Sequence, residues 1–131
     1  MTGAIVYPPL EAVIEAHARL LDRYGGAAGI RNPGGIEAAL ARGEQRAYAD
    51  EEPSAFALAA AIAYAFVHIH HPFVDGNKRV AFYAAFATLR MNGWVLDAAE
   101  REAADLFEQI AAGDLDEAAL AAWLQQNSTP L

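Results

Sequence analysis

The 131-residue chain carries a net charge of −8 and no cysteine. One hydrophobic core serves that length; the missing thiols exclude a disulfide framework and any thiolate metal site and suit a reducing cytoplasm; and the acidity excludes non-specific binding to nucleic-acid backbones. Hydrophobic residues make up 55% of the sequence, much of it alanine, which suits a packed globule and argues against disorder.

The opening stretch "MTGAIVYPPLE" has no basic segment followed by a long apolar one, so no secretory leader is expected. Along 9–23, Leu10, Val13, Ile14, His17, Leu20, Leu21 and Tyr24 recur at helical spacing and predict an amphipathic helix. "YGGAAGIRNPGG", 24–35, reads as a glycine-rich connection with a Pro-Gly turn and room for a short hairpin. Unstructured connections that long are uncommon and often functional. A short helix is expected from Ile36 to Gln45.

"DEEPSAF" places acids and Pro53 at the start of the next helix, where the helix dipole favours them. From Ala55 to Val67 that helix is apolar on every side, so other helices should surround it. This is the longest uncharged apolar run, and it falls short of the roughly 20 residues a bilayer requires. Pro72 ends the helix, and His71 before it is biased out of the right-handed helical region. A second apolar helix runs from Asn77 to Met91, closed by Asn92 and Gly93. Asp97 and Glu100 form an Asp-x-x-Glu capping pattern for a helix faced by Ala99, Ala103, Leu106, Phe107 and Ile110. Asp116 caps a last helix carrying Leu120, Trp123 and Leu124, and the tail "NSTPL" is expected to fray. The reading is one all-α, cytoplasmic domain over 1–131: about six helices, two of them central, with a glycine-rich flap.

Those central helices are joined through "HIHHPFVDGNKRVAF", 68–82. So polar a stretch at the hub of a core is either a solvated turn or a reaction centre. His71 stands where one helix ends, and an imidazole there can leave the core and, at a helix C-terminus, take up charge. The next helix begins with backbone N–H groups that lack partners, an anion-binding arrangement. Gly76 permits a tight turn or close approach to a ligand. Lys78 and Arg79 sit at the wrong end of the helix dipole, at about 0.3–1 kcal/mol each, unless an anion is bound there. Asp75 beside phosphates implies a magnesium ion between them. Asn77 is suited to capping the helix or donating to a phosphate oxygen. Phe73 would anchor the loop. His68 and His70 read as helix-side histidines, because a helix turns an H-x-H pair to opposite sides and so disfavours a shared zinc ion. No G-x-x-x-x-G-K-[ST] motif is present.

"HPFVDGNKR", 71–79, resembles the H-x-F-x-D-G-N-K-R signature of the Doc (death-on-curing) branch of the Fic superfamily, with all seven fixed positions matched. "RYGGAAGIRNPGGIEAAL", 23–40, resembles the segment that precedes the core in that family and forms a flap for the target peptide. The resemblance implies a general base at His71, magnesium at Asp75, a catalytic and phosphate-binding lysine at Lys78, and nucleotide phosphates at Gly76, Asn77, Lys78 and Arg79. Phe73 would be the structural anchor, and Tyr24 and Arg31 would belong to the target-docking flap. The cofactors implied are ATP and Mg2+.

Adenylyltransferases of the superfamily carry G-N-G-R-x-x-R. Lys78 and Phe82 stand here at the second glycine and the distal arginine. Doc-type members share those changes, and the activity they imply is transfer of the γ-phosphate of ATP to a threonine of elongation factor Tu, arresting translation. The family's internal inhibitory motif, [ST]-x-x-x-E-[GN], is missing, so a Phd-like antitoxin is expected to act in trans. The alternatives are protein adenylylation and a non-catalytic Fic-like binding module.

Overall fold

The computed structural model describes residues 6–49 and 54–131. Within them six α-helices form the bundle: α1 Leu10–Tyr24, α2 Pro33–Ala47, α3 Ala55–Tyr64, α4 Asn77–Met91, α5 Glu100–Ala112 and α6 Glu117–Gln126. Between α3 and α4 the chain makes a π-helical segment, Ala65–His70, and the loop that holds the motif. Two three-residue strands, β1 Trp94–Leu96 and β2 Ser128–Pro130, pair antiparallel. No helix among the described residues is long and apolar enough to cross a membrane.

α3 is central because its sequence leaves no polar face. Leu58 to Ala63 are all buried, and α2, α4 and α6 pack around them. Its small alanines let the neighbours come close. At one crossing the approach is so tight that a Cβ on Gly43 of α2 would lie 2.4 Å from Ile62 Cγ1. α4 packs through Val80, Ala81, Ala84, Ala85 and Leu89, and α5 through Ala103, Leu106, Phe107 and Ile110, whereas Ala99, expected on that face, is exposed and precedes the helix as its N-cap. Ser54 caps α3 by accepting from the Ala57 N–H, and Asp116 caps α6 by accepting from the Ala119 N–H. The acids and Pro53 expected at the start of α3 lie outside the described residues, as do Met1 to Ile5.

Several expectations need correction. α2 begins at Pro33, three residues before Ile36, because proline suits a first helical turn that has no use for its N–H. The glycine-rich connection is therefore shorter and forms no hairpin of its own. On α1, Ile14 and Tyr24 are exposed, while Ala16 takes a place in the buried face. The Asp97–Glu100 capping pattern does not form. Ala99 is the N-cap, and the Asp97 N–H donates instead to the Asn127 carbonyl, which draws that residue toward the sheet. The tail does not fray: β2 pairs with β1, and the Leu131 N–H donates to the Gly93 carbonyl. The end of α4 is as expected, with Gly93, left-handed at φ 91°, following the C-cap Asn92. The Asn92 amide donates to the carbonyls of Thr88 and Val6 and ties the N-terminal segment to the helix end.

Candidate active site

The motif loop is built from the ends of the two central helices. The π-helical segment carries His68 and His70 at its C-terminal end, and both lie outside the core. The wider winding ends at His71, which takes a left-handed conformation, φ 41° and ψ 59°. The residue before proline is indeed outside the right-handed region, though left-handed rather than extended. It is the only non-glycine residue with positive φ among the described residues, a conformation that costs a bulky side chain about 1–2 kcal/mol. The flap holds the neighbouring backbone in place. The Arg31 and Asn32 N–H groups donate to the Pro72 carbonyl at 2.7 and 3.0 Å. The Arg31 guanidinium reaches the carbonyls of His71 and Phe73 at 3.4 Å each.

The His71 imidazole is held below its ordinary pKa of 6.5, first by partial burial and then by the positive charges of Arg31, His68 and His70. This corrects the expectation that the helix end favours its charged form. Burial first, and then the neighbouring positive charges, disfavour the charged form, and the neutral ring is the one prepared to accept a proton.

Phe73 is fully buried, as an anchor must be. Asn77 braces the loop across one turn: its Oδ1 accepts from the Phe73 N–H at 3.1 Å and its Nδ2 donates to the Phe73 carbonyl at 2.9 Å. The side chain thus neither caps α4 nor turns outward. Gly76 is the N-cap, at φ 83°, with no side-chain cap bond. The first-turn N–H groups of α4 are therefore not satisfied by a side-chain cap. Asp75 is exposed. Its Oδ1 accepts from the Gly76 N–H at 2.9 Å and its Oδ2 from the Ala27 N–H at 3.3 Å. The carboxylate bridges the motif to the flap.

The flap and the motif loop form one unit. Ile30 pairs with Phe73 as an antiparallel bridge, and the Val74 N–H donates to the Gly29 carbonyl at 3.0 Å. The glycines there are needed for contact: at φ 129°, a Cβ on Gly29 would meet Val74 Cγ2 at 3.1 Å. Tyr24, assigned to the flap, lies under Arg79, whose guanidinium carbon is 4.4 Å from the ring centroid. Lys78 turns the other way, to Glu108 of α5 at 2.5 Å. Phe82, at the position of the distal arginine, packs edge-on against Phe107 in the core.

Two participants escape a sequence reading. Glu108 is one. The other is His17, buried on α1, which stacks on Phe73 and donates from Nε2 to the Asp75 carbonyl at 2.7 Å. An imidazole on an otherwise apolar helical face was its one signal.

Comparison with known proteins agrees with this geometry. The model of the Fic/DOC family matches residues 7–89. A protein of Escherichia phage P1 named Protein kinase doc is 34% identical over 117 residues, 88% of this chain and 90% of its own length. A protein of Mycolicibacterium smegmatis named Toxin Doc is 36% identical over 104 residues, 77% of this chain and 79% of its own. With the motif loop at the junction of two central helices and these matches across most of its length, the chain belongs to the Fic/DOC family, in its Doc branch.

Proposed function

We propose that this protein is the toxin of a toxin–antitoxin pair and transfers the γ-phosphate of Mg-ATP to a Thr or Ser hydroxyl of a protein target, elongation factor Tu. One observation carries the reading: a single short loop presents a histidine biased toward its neutral form at one end and an uncapped helix N-terminus at the other. The names of the two relatives, a kinase and a toxin, support it.

In this reading His71 takes the proton of the target hydroxyl. The α4 N-terminus at Gly76 and Asn77, with Lys78 and Arg79, receives the phosphates. Phosphoryl transfer needs positioning and charge neutralisation more than covalent help from the protein. Asp75 would hold the magnesium ion, which offsets the negative charge of the phosphates when bound. One exposed carboxylate fits that ion, which keeps most of its waters and takes its other ligands from phosphates; no cluster of three ligating side chains exists among the described residues. Lys78 must release Glu108 to reach a phosphate. Both side chains of that pair are about half exposed or more, and such a pair is worth only about 0.2–1 kcal/mol. Arg79 is already set by its stacking on Tyr24. The flap, with Arg31 and the exposed Ile30 beside the loop, positions the target segment.

The His71 shift fixes a pH dependence. A base with a lowered pKa stays neutral, and active, further into acid than an ordinary histidine. The acid limb of kcat/KM is expected below pH 6.5; an acid limb above that value would contradict the environment described for His71.

Expression in a bacterial host is expected to arrest growth. Co-expression of a Phd-like antitoxin encoded beside it should restore growth and yield a complex on size exclusion. Unimpaired growth with abundant soluble protein would count against the toxin reading.

A further inference from the structure

We propose that His17 is a positioning residue: its Nε2–H pins the Asp75 carbonyl inward and so fixes the Asp75–Gly76 peptide with its N–H turned outward, where a phosphate would lie. The inference rests on the phosphate-transfer reading and deepens it by assigning the orientation of one anion donor to a side chain 58 residues upstream.

Nε2 lies 2.7 Å from a carbonyl oxygen, which can only accept, so Nε2 carries the proton. The ring cannot swing away. It is 5% exposed and stacks on Phe73 at 3.7 Å between centroids with 12° between planes. In a trans peptide the C=O and N–H point in opposite directions, so holding the carbonyl inward aims the N–H outward. The Gly76 N–H does face outward, where its acceptor is the exposed Asp75 carboxylate.

The lock matters because the next residue is glycine. At φ 83° Gly76 has alternatives that a side chain would forbid. Released, the peptide can turn and present its carbonyl oxygen to the phosphate site, where a negative dipole repels an anion. The fit is close as well: a Cβ on Gly76 would come within 3.3 Å of His17 Nε2.

A core histidine that only fills space makes the opposite demands, and two substitutions separate the cases. His17→Phe keeps the ring on Phe73 and loses the donor. His17→Gln loses the ring and keeps an amide donor at about the reach of Nε2. The full-length protein and both variants would be titrated with Mg-ADP by calorimetry, and the Gly76 amide followed by NMR. His17→Phe is expected to stay folded, to bind Mg-ADP about tenfold more weakly, and to move or broaden the Gly76 signal. His17→Gln should bind within about threefold of the unaltered protein. Unchanged binding in His17→Phe, or weaker binding in a folded His17→Gln than in His17→Phe, would overturn the proposal. Should His17→Phe fail to fold, His17→Gln alone decides, by keeping or losing affinity. If the unaltered protein binds no Mg-ADP, the phosphate-transfer reading fails; the Gly76 signal then judges the lock separately, and an unshifted signal in His17→Phe would overturn it.

Discussion

Replacing His71 with alanine is expected to lower the rate of transfer by about 10²–10⁴-fold, the usual loss when a general base is removed. Stability should hardly change. The ring is exposed and its backbone is held by neighbours, through the flap bonds to Pro72 and the Arg31 contacts to the His71 and Phe73 carbonyls. Surface substitutions away from packed or hydrogen-bonded features cost within about 0.5 kcal/mol. Nucleotide affinity should also survive, because the phosphate side of the loop belongs to α4. The measurement is paired: growth arrest at matched expression, and Mg-ATP binding by the purified variant. A folded variant that arrests growth at the wild-type dose would remove His71 from the role of base. His68→Ala should do less, since that ring lies against Tyr64, 5.0 Å between centroids, with Gly113 beside it.

The largest loss of stability from one added carbon is expected at Gly43. No side chain fits there, since a Cβ would meet Ile62 at 2.4 and 3.0 Å and Leu58 at 3.1 Å, on fully buried residues of the central helix. Gly43→Ala gains helix propensity of about 1 kcal/mol, but overpacking a tight core costs about 1–3 kcal/mol. A methyl group that must displace a buried helix lies toward the upper end of that range. The variant should melt several degrees lower, on the order of 2–8 °C for a chain of this size. Removing the obstacle should reverse part of the effect: combined with Ile62→Ala, Gly43→Ala should become neutral or stabilising, a coupling of about 0.5–3 kcal/mol. A Gly43→Ala protein that melts as high as the wild type would mean that α2 and α3 have room between them.

What a sequence can show of this fold depends on which interactions are local. α3 was legible because Ala55 to Val67 has no polar face, and α4 because Pro72 and Gly76 punctuate what precedes it; its bounds, Asn77 and Met91, agree with the expectation. The place of the candidate site was legible for the same reason, since His71, Asp75 and the cations lie within nine residues. Non-local contacts were hidden. β1 and β2 have three residues each, too few to show alternation, and pair only because α6 returns the chain to Trp94. The π-helical winding of Ala65 to His70 leaves no mark in an apolar run. Gly43 carries no sequence mark of its role, yet its lack of a side chain is what lets α2 reach α3. His17 falls at helical spacing among apolar residues, and nothing within α1 points to Asp75. The motif points Lys78 toward phosphate alone; its partner Glu108 lies on a helix whose buried face says nothing about its exposed one.

The proposed reaction of this loop is transfer of a phosphoryl group and not of a nucleotidyl group. Lys78 puts a mobile charge where a glycine would let backbone approach the α- and β-phosphates, and Phe82, packed on Phe107, stands where adenylyltransferases of the superfamily carry an arginine to clamp phosphate. The most direct test is the intact mass of purified elongation factor Tu after incubation with this protein and Mg-ATP, with the His71→Ala variant as control. The expected result is the added mass of one phosphate on a Thr or Ser, absent with the variant. The added mass of adenosine monophosphate would contradict it.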